Sequence, residues 1–172
     1  MPLLRNGRAV GEDAWQVAGD DDALPPSGPV LVSFERWSRD RETLAGRNSP
    51  VGVRLKNSQR IDALAGDLDR LDLIALDFPK FNDGRAYSQA RILRERLGYR
   101  GELRATGAVL FDQLLFMHRC GFDSFEIGRD DAVEAWEQAL GQITRFYQPT
   151  ADGRPALLFR LRAPRLLAEA AE

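Results

Sequence analysis

Asp77, Lys80 and Glu126 have the chemistry of proton carriers. A second set, suited to holding an anion, comprises Lys56, Asn82, Asp83, Arg85, Arg104, Thr106 and Gly107. A lysine offers a point charge and an arginine a planar fork, so Lys80 and Arg85 together suit a phosphate-like or sulfur oxyanion. Carboxylates beside them can orient the cations or carry a proton. A glycine at position 107 would let a ligand oxygen approach backbone N–H groups, as phosphate sites require. Plainer roles stand beside these. Asn82 or Asp83 can cap a helix, as can Thr106-Gly107. The charged residues can also form a structural salt-bridge ring.

These residues form a set only if the chain brings them to one edge, and its patterning predicts that edge. Five short β-rich runs alternate with helical runs: Val30–Phe34, Val51–Leu55, Leu73–Asp77, Glu102–Thr106 and Ser124–Ile127. Alternation of this kind implies a parallel sheet, because parallel neighbours need a long crossover between them. In such folds ligands meet the carboxyl ends of the strands, where helix N-termini converge with their free N–H groups. The candidate residues follow those ends, together with Glu35 and Arg54. The loop Asp77–Arg85 is long for a strand-to-helix connection.

Apolar stripes predict the helices. Ile61, Leu64, Leu68 and Leu71 make one, with Ser58 as N-cap; Ala86 to Leu97, Leu110 to His118 and Val133 to Ile143 make three more, the last opened by Asp130-Asp131. The expected fold is α/β, with about five βα units as an open half-barrel or a doubly wound sheet. Residues 1–28 read as a hairpin and linker: Leu3–Arg5 and Arg8–Val10 flank Asn6-Gly7, and Trp15–Val17 adds a third strand. Residues 29–147 form the α/β domain. Residues 148–172 form a hairpin-like tail, with Phe146–Gln148 and Ala156–Leu161 flanking its turn and a short helix or disordered end after Arg165.

Composition removes several classes. The chain has 172 residues, 44% hydrophobic and 29% charged, which fits an ordinary globular protein. A single cysteine, Cys120, excludes an internal disulfide and a four-cysteine metal site. A single histidine, His118, excludes a multi-histidine site, so no metal is expected. Gly98, Gly101 and Gly107 lack dinucleotide-fingerprint spacing and there is no Walker A run, which leaves the cofactor unknown. A net charge of -2 argues against nucleic acid. No apolar run approaches a membrane span, and the first residues lack the apolar core of a secretory signal, so a cytoplasmic protein is expected. Only Lys56 and Lys80 are lysines among 24 basic residues. His118 lies on an apolar stripe and reads as a core or boundary residue. Cys120 at a helix C-terminus reads as a small hydrophobe, since that end of a helix disfavours a thiolate. Open sheet edges leave room for a homodimer.

The stretch Phe78-Pro-Lys-Phe-Asn-Asp-Gly-Arg-Ala-Tyr-Ser-Gln-Ala-Arg91, with Leu97–Arg104 and Arg119–Glu126, resembles a bacterial family of unknown function labelled as an oxidoreductase of sulfite reduction. The resemblance runs from Val30 to Tyr147 and is densest over Asp77 to Glu126. It implies a cytoplasmic role near assimilatory sulfate and sulfite reduction, with sulfite reductase or another sulfate-assimilation protein as partner. It assigns no catalytic residue. One cysteine cannot hold the iron–sulfur and sirohaem centre of a reductase catalytic subunit. Three readings follow: an accessory protein that binds an oxyanion, metabolite or anionic cofactor at its strand ends; an assembly or electron-transfer partner that docks through Phe146, Tyr147, Phe159 and a sheet edge; and a small lyase or isomerase.

Overall fold

A computed structural model describes residues 3–129, 131–143 and 145–152. Its centre is one eight-stranded sheet: β1 (Leu3–Arg5), β2 (Arg8–Val10), β3 (Gln16–Val17), β4 (Val30–Ser33), β5 (Val51–Leu55), β6 (Leu73–Phe78), β7 (Glu102–Gly107) and β8 (Ser124–Glu126). The spatial order is β2-β1-β8-β7-β6-β5-β4-β3. From β3 to β8 every neighbouring pair is parallel, while β1 is antiparallel to both β8 and β2.

That order decides between the two expected architectures. Strands β4 to β8 advance in one direction without reversal. With right-handed crossovers, such an order places all connecting segments on the same face. A doubly wound sheet needs a reversal, and this sheet has none. It curls instead into a mostly parallel half-barrel.

The convex face carries the main core. Val32, Val53, Ile74, Leu76, Leu103 and Phe125 point to it, and the helices pack over them. These helices are α1 (Phe34–Arg39), α2 (Arg41–Ala45), α3 (Arg85–Arg91), α4 (Leu114–Arg119) and α5 (Ala132–Gln142). Ser33 caps α1 by accepting from the Arg36 N–H at 3.0 Å. A five-residue π-helical turn, Ile92–Arg96, prolongs α3. The stripe Ile61–Leu71 does not form the expected helix. It folds as two 3₁₀ turns, Ile61–Leu64 and Leu68–Arg70, that still bury Ile61, Leu64 and Leu68. Gly66 costs a helix about 1 kcal/mol. The buried Asp67 is also held away from its own segment, by Trp37 Nε1 at 3.3 Å and Arg41 Nη2 at 2.5 Å.

The N-terminal hairpin forms about Asn6 and Gly7, both at positive φ, as a type I′ turn requires. Its partner in the sheet is β8, with Leu4 opposite Phe125. The third expected strand, Gln16–Val17, lies at the far edge beside β4. Residues 11–15 therefore run from one edge of the sheet to the other. Their contacts show the route. Asp13 bonds Arg104, and Trp15 packs on Leu31, Leu73 and Ala75, which form a small second core on the concave face. A Cβ at Gly52 would sit 3.1 Å from the Trp15 ring and 3.0 Å from Leu73, so a side chain there would lift this strap. Phe146 is buried under the Arg119 guanidinium at 3.7 Å. The strand expected at Ala156–Leu161, Phe159 within it, and the end after Arg165 lie outside the described residues.

Candidate functional site on the concave face

Side chains alternate across a sheet, so every second residue of the half-barrel faces inward. The register aligns one inward row across six strands: Ser33 on β4, Arg54 on β5, Ala75 on β6, Arg104 on β7, Ser124 on β8 and Arg5 on β1. Three of the six are arginines. Toward the amino ends of the strands lies the row Leu31, Gly52, Leu73 and Glu102, partly covered by Trp15. Toward the carboxyl ends, Asp77 pairs with Thr106, and Glu126 stands on β8.

Arg104 is the anchor of the row. Its side chain is only 1% exposed and reaches Asp13 Oδ2 at 2.5 Å and Glu102 Oε1 at 2.8 Å. Burial works against its charge, but the bonds it donates to Asp13 and Glu102 outweigh that and hold the guanidinium more firmly protonated than in water. Glu102 also meets Arg5 at 3.4 Å. Arg54 is different. Its side chain is 40% exposed, its nearest carboxylate oxygen is Glu126 Oε1 at 3.8 Å, and its buried Nε has no hydrogen-bond partner. The same Glu126 oxygen lies 3.8 Å from Arg104 Nη1. At that range neither contact is a hydrogen bond, and a water or a ligand oxygen fits between. Ser124 Oγ, fully buried on the row, also lacks a partner.

At the rim above this row, Lys56 Nζ donates to Glu35 Oε1 at 2.8 Å. That bond raises the lysine and lowers the glutamate from their ordinary values, and the nearby Asp20 and Asp77 carboxylates raise the lysine further. Thr106 is buried and its hydroxyl donates to Leu76 O at 3.4 Å. Gly107 has φ +85, and a Cβ there would stand 2.5 Å from Phe78 O and 2.9 Å from Asp77 Oδ1. The glycine lets β7 approach the end of β6 closely.

Of the sequence-stated residues, the concave face and its rim thus gather Lys56, Asp77, Arg104, Thr106, Gly107 and Glu126. The loop residues stand apart. Lys80 and Asn82 are exposed, and Lys80 makes no ion pair among the described residues. Arg85 donates through Nε and Nη2 to Asp83 at 3.0 and 2.7 Å, which drives the Asp83 carboxyl down to about 2. Neither Asn82 nor Asp83 is the helix cap; Gly84 holds that position. Arg5, Asp13, Glu102 and Ser124 were not candidates from sequence, although the alternation Glu102-Leu103-Arg104-Ala105-Thr106 carried the signal for one of them. His118 packs edge-on against Trp136 at 5.0 Å with Nδ1 3.3 Å from Phe122 O. Cys120 is 2% exposed, and burial pushes its thiol up to about 11.

Among the described residues no three His, Cys, Asp or Glu side chains gather as a metal site would need, and no helix is long and apolar enough to cross a membrane. No curated protein matches the chain. Residues 52–158, more than half of the sequence, with most of β5 and all of β6 to β8, match a family described as bacterial protein of unknown function (DUF934), and the chain belongs to that family.

Proposed function

We propose that this protein is an accessory binding protein of sulfite and sulfate reduction that takes a small oxyanion on the concave face of its half-barrel. The observation that carries the reading is Arg54: a half-open guanidinium with, among the described residues, an unpaired Nε and no carboxylate within hydrogen-bond range. An arginine fork in this state suits two oxygens of a tetrahedral or pyramidal anion. Arg104, already saturated by Asp13 and Glu102, supplies field and not a direct bond. Ala75 between the two arginines leaves the space, with one Glu126 oxygen 3.8 Å from each guanidinium. The cytoplasmic setting and the link to sulfur chemistry rest on the sequence resemblance.

Calorimetric titration of the purified chain with sulfite, sulfate, adenylylated sulfate and phosphate tests this. One of them binds, Arg54→Gln weakens it at least tenfold, and Lys80→Ala with Arg85→Ala does not. Absence of heat with all four, or wild-type binding by Arg54→Gln, refutes the reading.

A second reading, docking on a reductase, draws on a different observation. Phe81, Phe116 and Leu110 are 62%, 56% and 41% exposed. Gln113 Nε2 donates to Phe81 O at 2.9 Å, and Phe116 meets Tyr87 at 4.7 Å between ring centres, so the segments that carry these side chains adjoin. An aromatic patch of this kind suits a protein contact. In this reading the rim patch joins the tail contact: Phe146 is buried, Tyr147 is 70% exposed, and Phe159 lies outside the described residues. Co-purification with sulfite reductase that is lost in Phe81→Ser with Phe116→Ser, and kept in Arg54→Gln, would favour it.

A further inference from the structure

On the convex side, between the segment that follows β5 and the outer flank of α3, lies a cleft of about 300 Å³. Asn57, Arg60, Asp62, Arg85, Ser88 and Gln89 supply its polar walls, with Ile61 and Ile92 beside them. It is separate from the arginine row.

Gln89 is 7% exposed, and its orientation is fixed. Its Nε2 donates to Gln59 O at 2.9 Å and Lys56 O at 3.3 Å, clamping the turn after β5. The nitrogen is thereby identified, so the oxygen left over is the acceptor. That buried Oε1 has no partner. Asn57, 9% exposed, has the complementary deficit: its Nδ2 is a buried donor without a hydrogen bond of normal geometry, although the amide is near enough to Asp83 to favour that carboxylate. A buried donor and a buried acceptor left unmade in one small cleft are costly, because each has lost water and gained nothing.

The remaining groups divide by sign. Arg60 and Arg85 are cationic and well exposed, each paired among the described residues only with a near neighbour in sequence, Asp62 and Asp83. A ligand carboxylate can share those guanidinium groups and accept from Asn57 Nδ2. Gln89 Oε1 and the Asp62 carboxylate can accept from an ammonium. Ile61 and Ile92 can cover a short uncharged side chain. We infer that this cleft binds a small zwitterion, an α-amino acid with an uncharged side chain, its carboxylate toward Arg85 and Asn57 and its ammonium toward Gln89 and Asp62.

The test is titration of the full chain with L-alanine, L-valine and L-methionine, beside propionate and ethylamine as the two separated halves. At least one amino acid binds with a dissociation constant below about 1 mM and raises the melting temperature, and each half binds at least tenfold more weakly. Arg85→Gln, on the surface, and Ile92→Phe, which fills the cleft, each weaken the amino acid at least tenfold while keeping the wild-type circular dichroism. Arg54→Gln leaves it unchanged, which separates this site from the oxyanion site. Binding of none of the three amino acids, propionate binding as tightly as they do, or wild-type affinity in both variants would overturn the inference and leave the two amides to a buried water.

Discussion

Arg54 and Arg104 stand on one inward row of the half-barrel with Ala75 between them, and they have opposite states. Arg104 is buried and held by two carboxylates; Arg54 is half-open and held by none within hydrogen-bond range. Two strand spacings, about 10 Å, separate their backbones. Glu126, three strands from Arg54 and one from Arg104, comes within 3.8 Å of both.

Removing Arg104 should hurt stability more than removing Arg54. Arg104→Met strands Glu102, 2% exposed, as a buried carboxylate. Loss of one partner of a buried pair costs about 3–5 kcal/mol. Urea unfolding should show that loss, and adding Glu102→Leu should restore most of it. A single mutant as stable as wild type would mean that Glu102 finds water or Arg5 instead.

Gly107→Ala should destabilise by about 1–3 kcal/mol, from a strained positive φ and from crowding against the Phe78 carbonyl. The urea midpoint measures it. Gly141→Ala, where a Cβ meets nothing within 4 Å, is the control and should be neutral or better.

Asp83 should titrate far below an ordinary aspartate. Arg85 holds its carboxyl down to about 2. Folding therefore favours the ionised form, an advantage complete above the ordinary value near 3.9 and lost as pH falls through about 2. Carbon-detected NMR of the carboxyl should give a midpoint near 2, rising toward the ordinary value in Arg85→Ala.

Cys120 should resist alkylation. Its thiol is buried, and burial has pushed it up to about 11. Iodoacetamide at pH 7.5 should leave the native protein unlabelled and label it in urea. Rapid native labelling would show that α4 opens locally.

The five central strands were legible because their β-branched and aliphatic runs are short and bounded by turn residues; Val51–Leu55 is found as read. The hairpin at Asn6-Gly7 was legible for the same local reason. Its place beside β8 was not, since pairing Leu4 with Phe125 depends on contacts remote in sequence. The segment after Ser58 misled because spacings of three and four residues serve a 3₁₀ turn as well as an α-helix. At the site, reading strand ends collected Lys80 and Arg104 as neighbours. The two-residue alternation separates them. Arg104 faces inward one layer below Thr106, and Lys80 lies on an exposed loop beyond β6. Arg5 and Asp13 had no local signal, because Arg5 joins the arginine row by the pairing of β1 with β8 and Asp13 reaches it through the strap, both contacts remote in sequence.

That strap sets the order in which the molecule can be completed. On the ribosome, Leu3 and Leu4 are made long before their partner strand β8, whose residues lie more than a hundred positions later. The N-terminal hairpin thus waits for β8 before it can be seated in the sheet. A nascent chain halted before Ser124 would carry a bare edge and a loose leader, and would be a target for chaperones until β8 arrives.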